Sequence, residues 1–65
     1  MKNYLRAKYV SYNYFSPCHV EEELLLSEDR AKKLMREVLQ VRSIGRLFRM
    51  DFDQFYSVIE TGLGD

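Results

Sequence analysis

The side chains able to do chemistry in this chain fall into a few groups, and each group needs a geometry that its spacing either permits or forbids. Cys18 and His19 are a thiol beside an imidazole, the residue types of a nucleophile and its base. As immediate neighbours in an extended segment, their side chains point apart. That adjacency predicts a turn cysteine and a solvent-facing histidine. The same two residues are the only soft metal ligands, and a closed zinc site wants four. No metal and no cofactor is therefore expected; a site on a dimer axis would need this pair from each of two copies. Glu21, Glu22 and Glu23 are consecutive carboxylates that cannot converge on one cation or one proton in a helix or a strand, so they predict a solvated face. Gly45 and Gly62 are isolated and no Lys-Ser or Lys-Thr pair accompanies them, which leaves no phosphate-cradling loop. Catalysis is not expected.

The remaining group is suited to binding. Tyr4, Arg6 and Lys8 alternate along what reads as one strand face, and Tyr12 and Tyr14 follow in the same segment. If a second helix starts near Ser43, Arg42, Arg46 and Arg49 take i, i+4, i+7 spacing and form a guanidinium row. Tyrosine and arginine concentrate in interface hot spots. With five tyrosines in 65 residues, some rings must stay exposed, since so small a core cannot satisfy every hydroxyl. These eight residues are the expected partner-binding set. The first reading is a small non-enzymatic regulator or inhibitor that binds a larger protein. The alternative is a nucleic-acid-binding regulator that uses the basic segment 30–49. A net charge of zero and a sequence pI near 6.6 weigh against the alternative, because nucleic-acid domains carry a basic excess.

The charges are nonetheless segregated. Lys2, Arg6 and Lys8 precede any acid, residues 16–29 carry only acids, and residues 30–49 carry seven bases against Glu37. Blocks of this kind neutralise one another inside a fold or face a partner of opposite charge. Residues 1–65 make one domain, near the lower size at which a core is self-sufficient. A lone cysteine offers no disulfide, so a homodimer or a protein partner is the expected source of added stability. A composition 46% hydrophobic and 31% charged is that of a folded chain rather than a disordered one. No apolar run reaches the roughly 18–20 residues that span a bilayer, and Met1-Lys2-Asn3-Tyr4 leads into no signal sequence. A cytoplasmic protein with no membrane partner is expected. Proteins this small are common among phage and other mobile elements, which is a remark about length alone.

These residues must be positioned by elements, and the stretch Ser27 to Ile59 holds the longest hydrophobic periodicity. Ala31, Leu34, Met35, Val38 and Leu39 form one helical face, and Ile44, Leu47, Phe48, Phe52, Phe55, Tyr56 and Ile59 continue the stripe. Ser27 is a suitable N-cap with Glu28 and Asp29 in the first turn. A single helix to Ile59 would be roughly 50 Å long, so Arg42 to Gly45 is expected to interrupt it. Asp51 and Gln54 resemble a capping box and predict a kink or a fresh start. Gly62-Leu63 reads as a C-terminal stop. Tyr4 to Phe15 is rich in tyrosine and reads as a strand that switches faces between Tyr9 and Val10, with a helix over Asn3 to Val10 as the alternative that the aromatic residues disfavour. Pro17 marks a turn, and Val20 to Leu26, which has good helix formers but no helical stripe, is open between helix and strand and is read as the returning strand because it runs directly into the helix start at Ser27. The expectation is an α+β fold, ββαα, with a β-hairpin over residues 3–26 packed on helices over 28–41 and 44–61. Its open strand edges would be completed by dimerisation.

Overall fold

Three of the four helices begin at residues whose side chains close the first turn. A computed structural model describes residues 2–64, with α1 at Lys2–Lys8, α2 at Pro17–Leu24, α3 at Glu28–Leu39 and α4 at Phe52–Gly64. At α3 the Ser27 hydroxyl accepts the Arg30 N–H at 3.4 Å. Glu28 and Asp29 lie at the positive end of the helix dipole. The helix stops where Gln40 turns left-handed, at φ 55°. At α4 Asp51 and Gln54 cap each other: the Asp51 N–H donates to Gln54 Oε1 at 3.0 Å and the Gln54 N–H to Asp51 Oδ1 at 2.8 Å. At α2 Ser16 is extended, Pro17 takes the first helical position, and His19 Nδ1 accepts the Ser16 N–H at 3.0 Å. Proline suits that position because its missing donor would have had no partner there.

The expected hairpin is overturned. Among the described residues there is no strand, and the one β feature is an isolated antiparallel bridge between Phe15 and Met50. Its two hydrogen bonds measure 2.8 and 2.9 Å. Residues 2–8 are helical, and the buried residues over 2–14 are Leu5 within the helix and Tyr9 just past its end, an i, i+4 pair. That pair obeys a helical period as well as the strand alternation that Ala7 seemed to extend, and Ala7 is exposed. Residues 20–24 belong to α2, where Pro17 and Val20 are buried and Leu24 half-buried at i, i+3, i+7. The chain is all-helical rather than α+β, so dimerisation through strand edges has no strand to add to.

Two further boundaries shift. The second helical stretch, expected from residue 44, begins only at Phe52. In the connection before it Ile44 and Met50 are buried, while Leu47 is 84% exposed, so the stripe does not run through Leu47. Gly62 does not stop α4, which continues through it with no left-handed glycine. Gly62 is instead a point of close approach. A Cβ built there would lie 2.5 Å from Leu24 Cδ1 and 3.0 Å from Leu34 Cδ2, so the α4 backbone passes against side chains of α2 and α3.

The core gathers one to three residues from every helix, together with residues of the connections. Leu5, Tyr9, Phe15, Val20, Ala31, Met35, Ile44, Met50, Phe55, Val58 and Ile59 are buried. Leu34, Val38, Leu39, Phe48, Phe52 and Tyr56 from the anticipated stripe pack half-buried against them. Helices α2, α3 and α4 contact one another and make the body. A seven-residue helix such as α1 is too short to stand alone and depends on the side chains it sends into that body.

Candidate functional site

Tyr9 fastens α1 to the body. Its ring lies edge-on to Phe55 at 5.3 Å and to Phe15 at 5.5 Å, while its hydroxyl donates to Glu23 Oε2 at 2.6 Å. Lys8 reaches the same oxygen at 2.9 Å. Burial, followed by the bond to Glu23, pushes the Tyr9 hydroxyl up to about 12. The Lys8 ammonium is raised by its hydrogen bonds to Glu23 and Tyr4. Burial works to raise Glu23, but the donors Tyr9 and Lys8 prevail and its carboxyl is lowered. Glu23 therefore stays charged and holds two α1-side groups at once.

An aromatic cluster sits beneath this clasp. Phe15 and Phe55 stack with centroids 4.3 Å apart and planes 2° from parallel. Tyr12 and His19 meet edge-on at 5.0 Å, and His19 also touches the edges or faces of Tyr9, Phe15 and Phe55. His19 is thus half-buried among rings and committed to the α2 cap, rather than facing solvent. Cys18 is exposed, with its Sγ 3.0 Å from Ser16 Oγ. The three glutamates do not share one solvated face either: Glu22 is exposed, Glu21 is half-buried, and Glu23 is enclosed in the clasp.

The clasp and the cluster leave a groove open between α1 and α4. It measures about 240 Å³ and is lined by Arg6, Tyr9, Val10, Tyr12 and Phe52. The Arg6 guanidinium lies over the Phe52 ring at 4.6 Å. One turn further along α4, Tyr56 stacks with Phe52, and Lys2 lies over the Tyr56 ring at 5.2 Å. Val10 is 80% exposed and Tyr12 50%. Among the described residues neither Arg6 nor Lys2 has a carboxylate within ion-pair distance, so attraction to the rings is what positions both cations.

The anticipated binding residues divide accordingly. Arg6 and Tyr12 meet in the groove. Tyr4 and Lys8 share a face one turn apart, joined at 3.4 Å, but Arg6 points elsewhere, so the expected strand face does not exist. Tyr14 is 49% exposed and is covered by Arg49 at 4.2 Å. Arg42, Arg46 and Arg49 form no guanidinium row, because residues 40–51 are not helical. Arg42 is exposed. Arg46 lines a separate cleft of about 180 Å³ with Ser16, Pro17, Cys18, Glu21, Glu28 and Lys32. Glu28 is bound there by Lys32, whose hydrogen bond lowers its carboxyl. Tyr9, Val10 and Phe52 line the groove but are absent from the anticipated set. Val10 carries no local signal, since it sits between buried Tyr9 and exposed Ser11; Phe52 falls within the core stripe that the periodicity predicts.

Among the described residues no helix is long and apolar enough to cross a membrane. Compared with models of known protein families, with curated proteins and with solved structures, the chain matches none.

Proposed function

We propose that this chain is a non-catalytic regulatory protein that acts by docking on a larger protein, through the groove between α1 and α4 and the aromatic segment that borders it. One observation carries the reading. Tyr4, Val10, Tyr12 and Tyr14 are each about half exposed or more, although the same segment sends Tyr9 and Phe15 into the core. Scattered exposed apolar residues are ordinary, but Val10 and Tyr12 border one concave surface with a guanidinium on its rim, the composition of an interface patch. Tyrosine and arginine there supply large contact area and directional donors.

Photo-cross-linking tests this. A photoreactive residue in place of Val10 is expected to yield one discrete protein adduct, and the same residue in place of Lys33 on the exposed side of α3 is not. An adduct of twice the chain mass would identify a second copy as the partner. Equal labelling from both positions would contradict the reading.

A further inference from the structure

The geometry points to the kind of segment that fills the α1–α4 groove: a stretch of acidic polypeptide in which one apolar side chain lies next to a carboxylate. This rests on the docking reading above and adds the partner's chemistry to it. Size comes first. At about 240 Å³ the groove is smaller than the roughly 300–1,000 Å³ of small-molecule sites, and it has room for one or two side chains presented by a chain. Its walls select what those are. Val10, Tyr12 and Phe52 offer apolar surface, which favours an aromatic or branched aliphatic side chain.

Charge complementarity supplies the rest. Arg6 is held over Phe52 at 4.6 Å, and among the described residues its guanidinium forms no ion pair or side-chain hydrogen bond. A guanidinium fixed in place with its donors unspent is prepared to take both oxygens of a carboxylate. Lys2, over Tyr56, continues the positive edge one turn along α4. The carboxylates nearest Phe52 and Tyr56 do not cancel this edge by contact: Asp51 Oδ1 is engaged with the Gln54 N–H, Glu60 Oε2 accepts the Tyr56 hydroxyl at 2.7 Å, and neither Asp53 nor Glu60 has a cation within 4 Å among the described residues. Lys8, the remaining base of α1, is already paired with Glu23. An acidic segment gains Arg6 and Lys2, neither of which has an ion-pair partner among the described residues, without breaking that clasp. A polyanionic nucleic acid would also seek cations, but the chain carries no net positive charge to hold it.

The test uses the whole chain and four labelled peptides: one Phe flanked by Asp and Glu; the same peptide with Ala for Phe; one with Asn and Gln for the acids; and one with Lys for the acids. Binding is read by fluorescence anisotropy and by amide shifts of Arg6, Val10, Tyr12 and Phe52. The acidic Phe peptide is expected to bind at least tenfold more tightly than the other three and to weaken as salt rises. Arg6→Gln is expected to remove the tenfold preference over the Asn/Gln and Lys peptides while keeping that over the Ala peptide, and Val10→Asp, at a position 80% exposed, to weaken all binding while leaving the helical spectrum unchanged. If the neutral or lysine peptide shifts the groove resonances as strongly as the acidic one, the groove docks chains but the acidic preference is overturned. If no peptide shifts them at millimolar concentration, the docking reading falls as well. A single-stranded oligonucleotide that shifts them more strongly than every peptide would overturn the inference in favour of nucleic acid.

Discussion

Substituting Tyr9 by Phe removes one oxygen and leaves the ring, so it isolates the hydrogen bond that fastens α1. The hydroxyl donates to Glu23 Oε2 at 2.6 Å, and a bond to a charged acceptor contributes about 1.5–3 kcal/mol. Two facts move the expectation to the low end. Glu23 retains Lys8 after the substitution, and the Lys8 side chain is 42% exposed, so water screens the pair. Tyr9→Phe is expected to cost about 1–2 kcal/mol, which in a domain of this size lowers Tm by roughly 4–8 °C per kcal/mol. Urea unfolding followed by circular dichroism at pH 7 measures it. The double-mutant cycle with Glu23→Gln makes the assignment specific, since a direct bond predicts a coupling of at least about 0.5 kcal/mol. Additive effects, or a Tyr9→Phe variant as stable as the parent, would refute the clasp.

Three further outcomes follow from particular residues. Leu25 caps α2 at φ 56° with its side chain 89% exposed; relieving a left-handed cost of about 1–2 kcal/mol against a glycine entropy of about 0.5–1 kcal/mol, Leu25→Gly is expected to raise stability by about 0.5–1 kcal/mol in urea. Gly62→Ala brings a Cβ to 2.5 Å from Leu24 Cδ1, so the helix-propensity gain of about 1 kcal/mol is expected only in a Leu24→Ala background and not in the parent, as paired thermal melts would read. Stability has a pH window set by the clasp. Tyr9 is raised to about 12, so its contribution is full below pH 10 and is lost as pH rises from 10 to 12. Glu23 is lowered, so its contribution is present above the ordinary glutamate range and is lost as pH falls through its lower folded value. The urea midpoint is expected to be level in between, and Tyr9→Phe to shallow the alkaline decline.

The body of the fold was legible because its signals are local. Ser27 with Glu28 and Asp29, the Ala31 to Leu39 face, and the Asp51–Gln54 pair each specify a helix end or a buried stripe without help from distant residues. The N-terminal half departs from the expected hairpin for physical reasons. Tyrosines favour a strand only where a neighbouring strand pairs with it, and residues 20–24 were already committed to α2 by Ser16 and Pro17. That Ser-Pro pair reads equally as a turn or as a helix start, and the stripe that would decide, Pro17, Val20 and Leu24, is obscured by the run Leu24-Leu25-Leu26. Of the anticipated site, Arg6 and Tyr12 were identified by residue type alone. Their meeting with Val10 and Phe52 depends on how α1 docks, through a Tyr9–Glu23 contact fourteen residues apart that no local pattern announces. The arginine row failed because spacing creates a row only on a helix, and Gln40 ends the helix two residues before Arg42.

The docking of a helical N-terminus through Tyr9 is what creates the groove, and nuclear Overhauser contacts in the labelled protein test it most directly. Contacts from the Tyr9 ring to the Phe15 and Phe55 rings, together with Hα(i) to N–H(i+3) connectivities through residues 2–8, are the expected result. Strong sequential connectivities of an extended chain there, with cross-strand contacts between residues 4–14 and 20–26, would contradict the account.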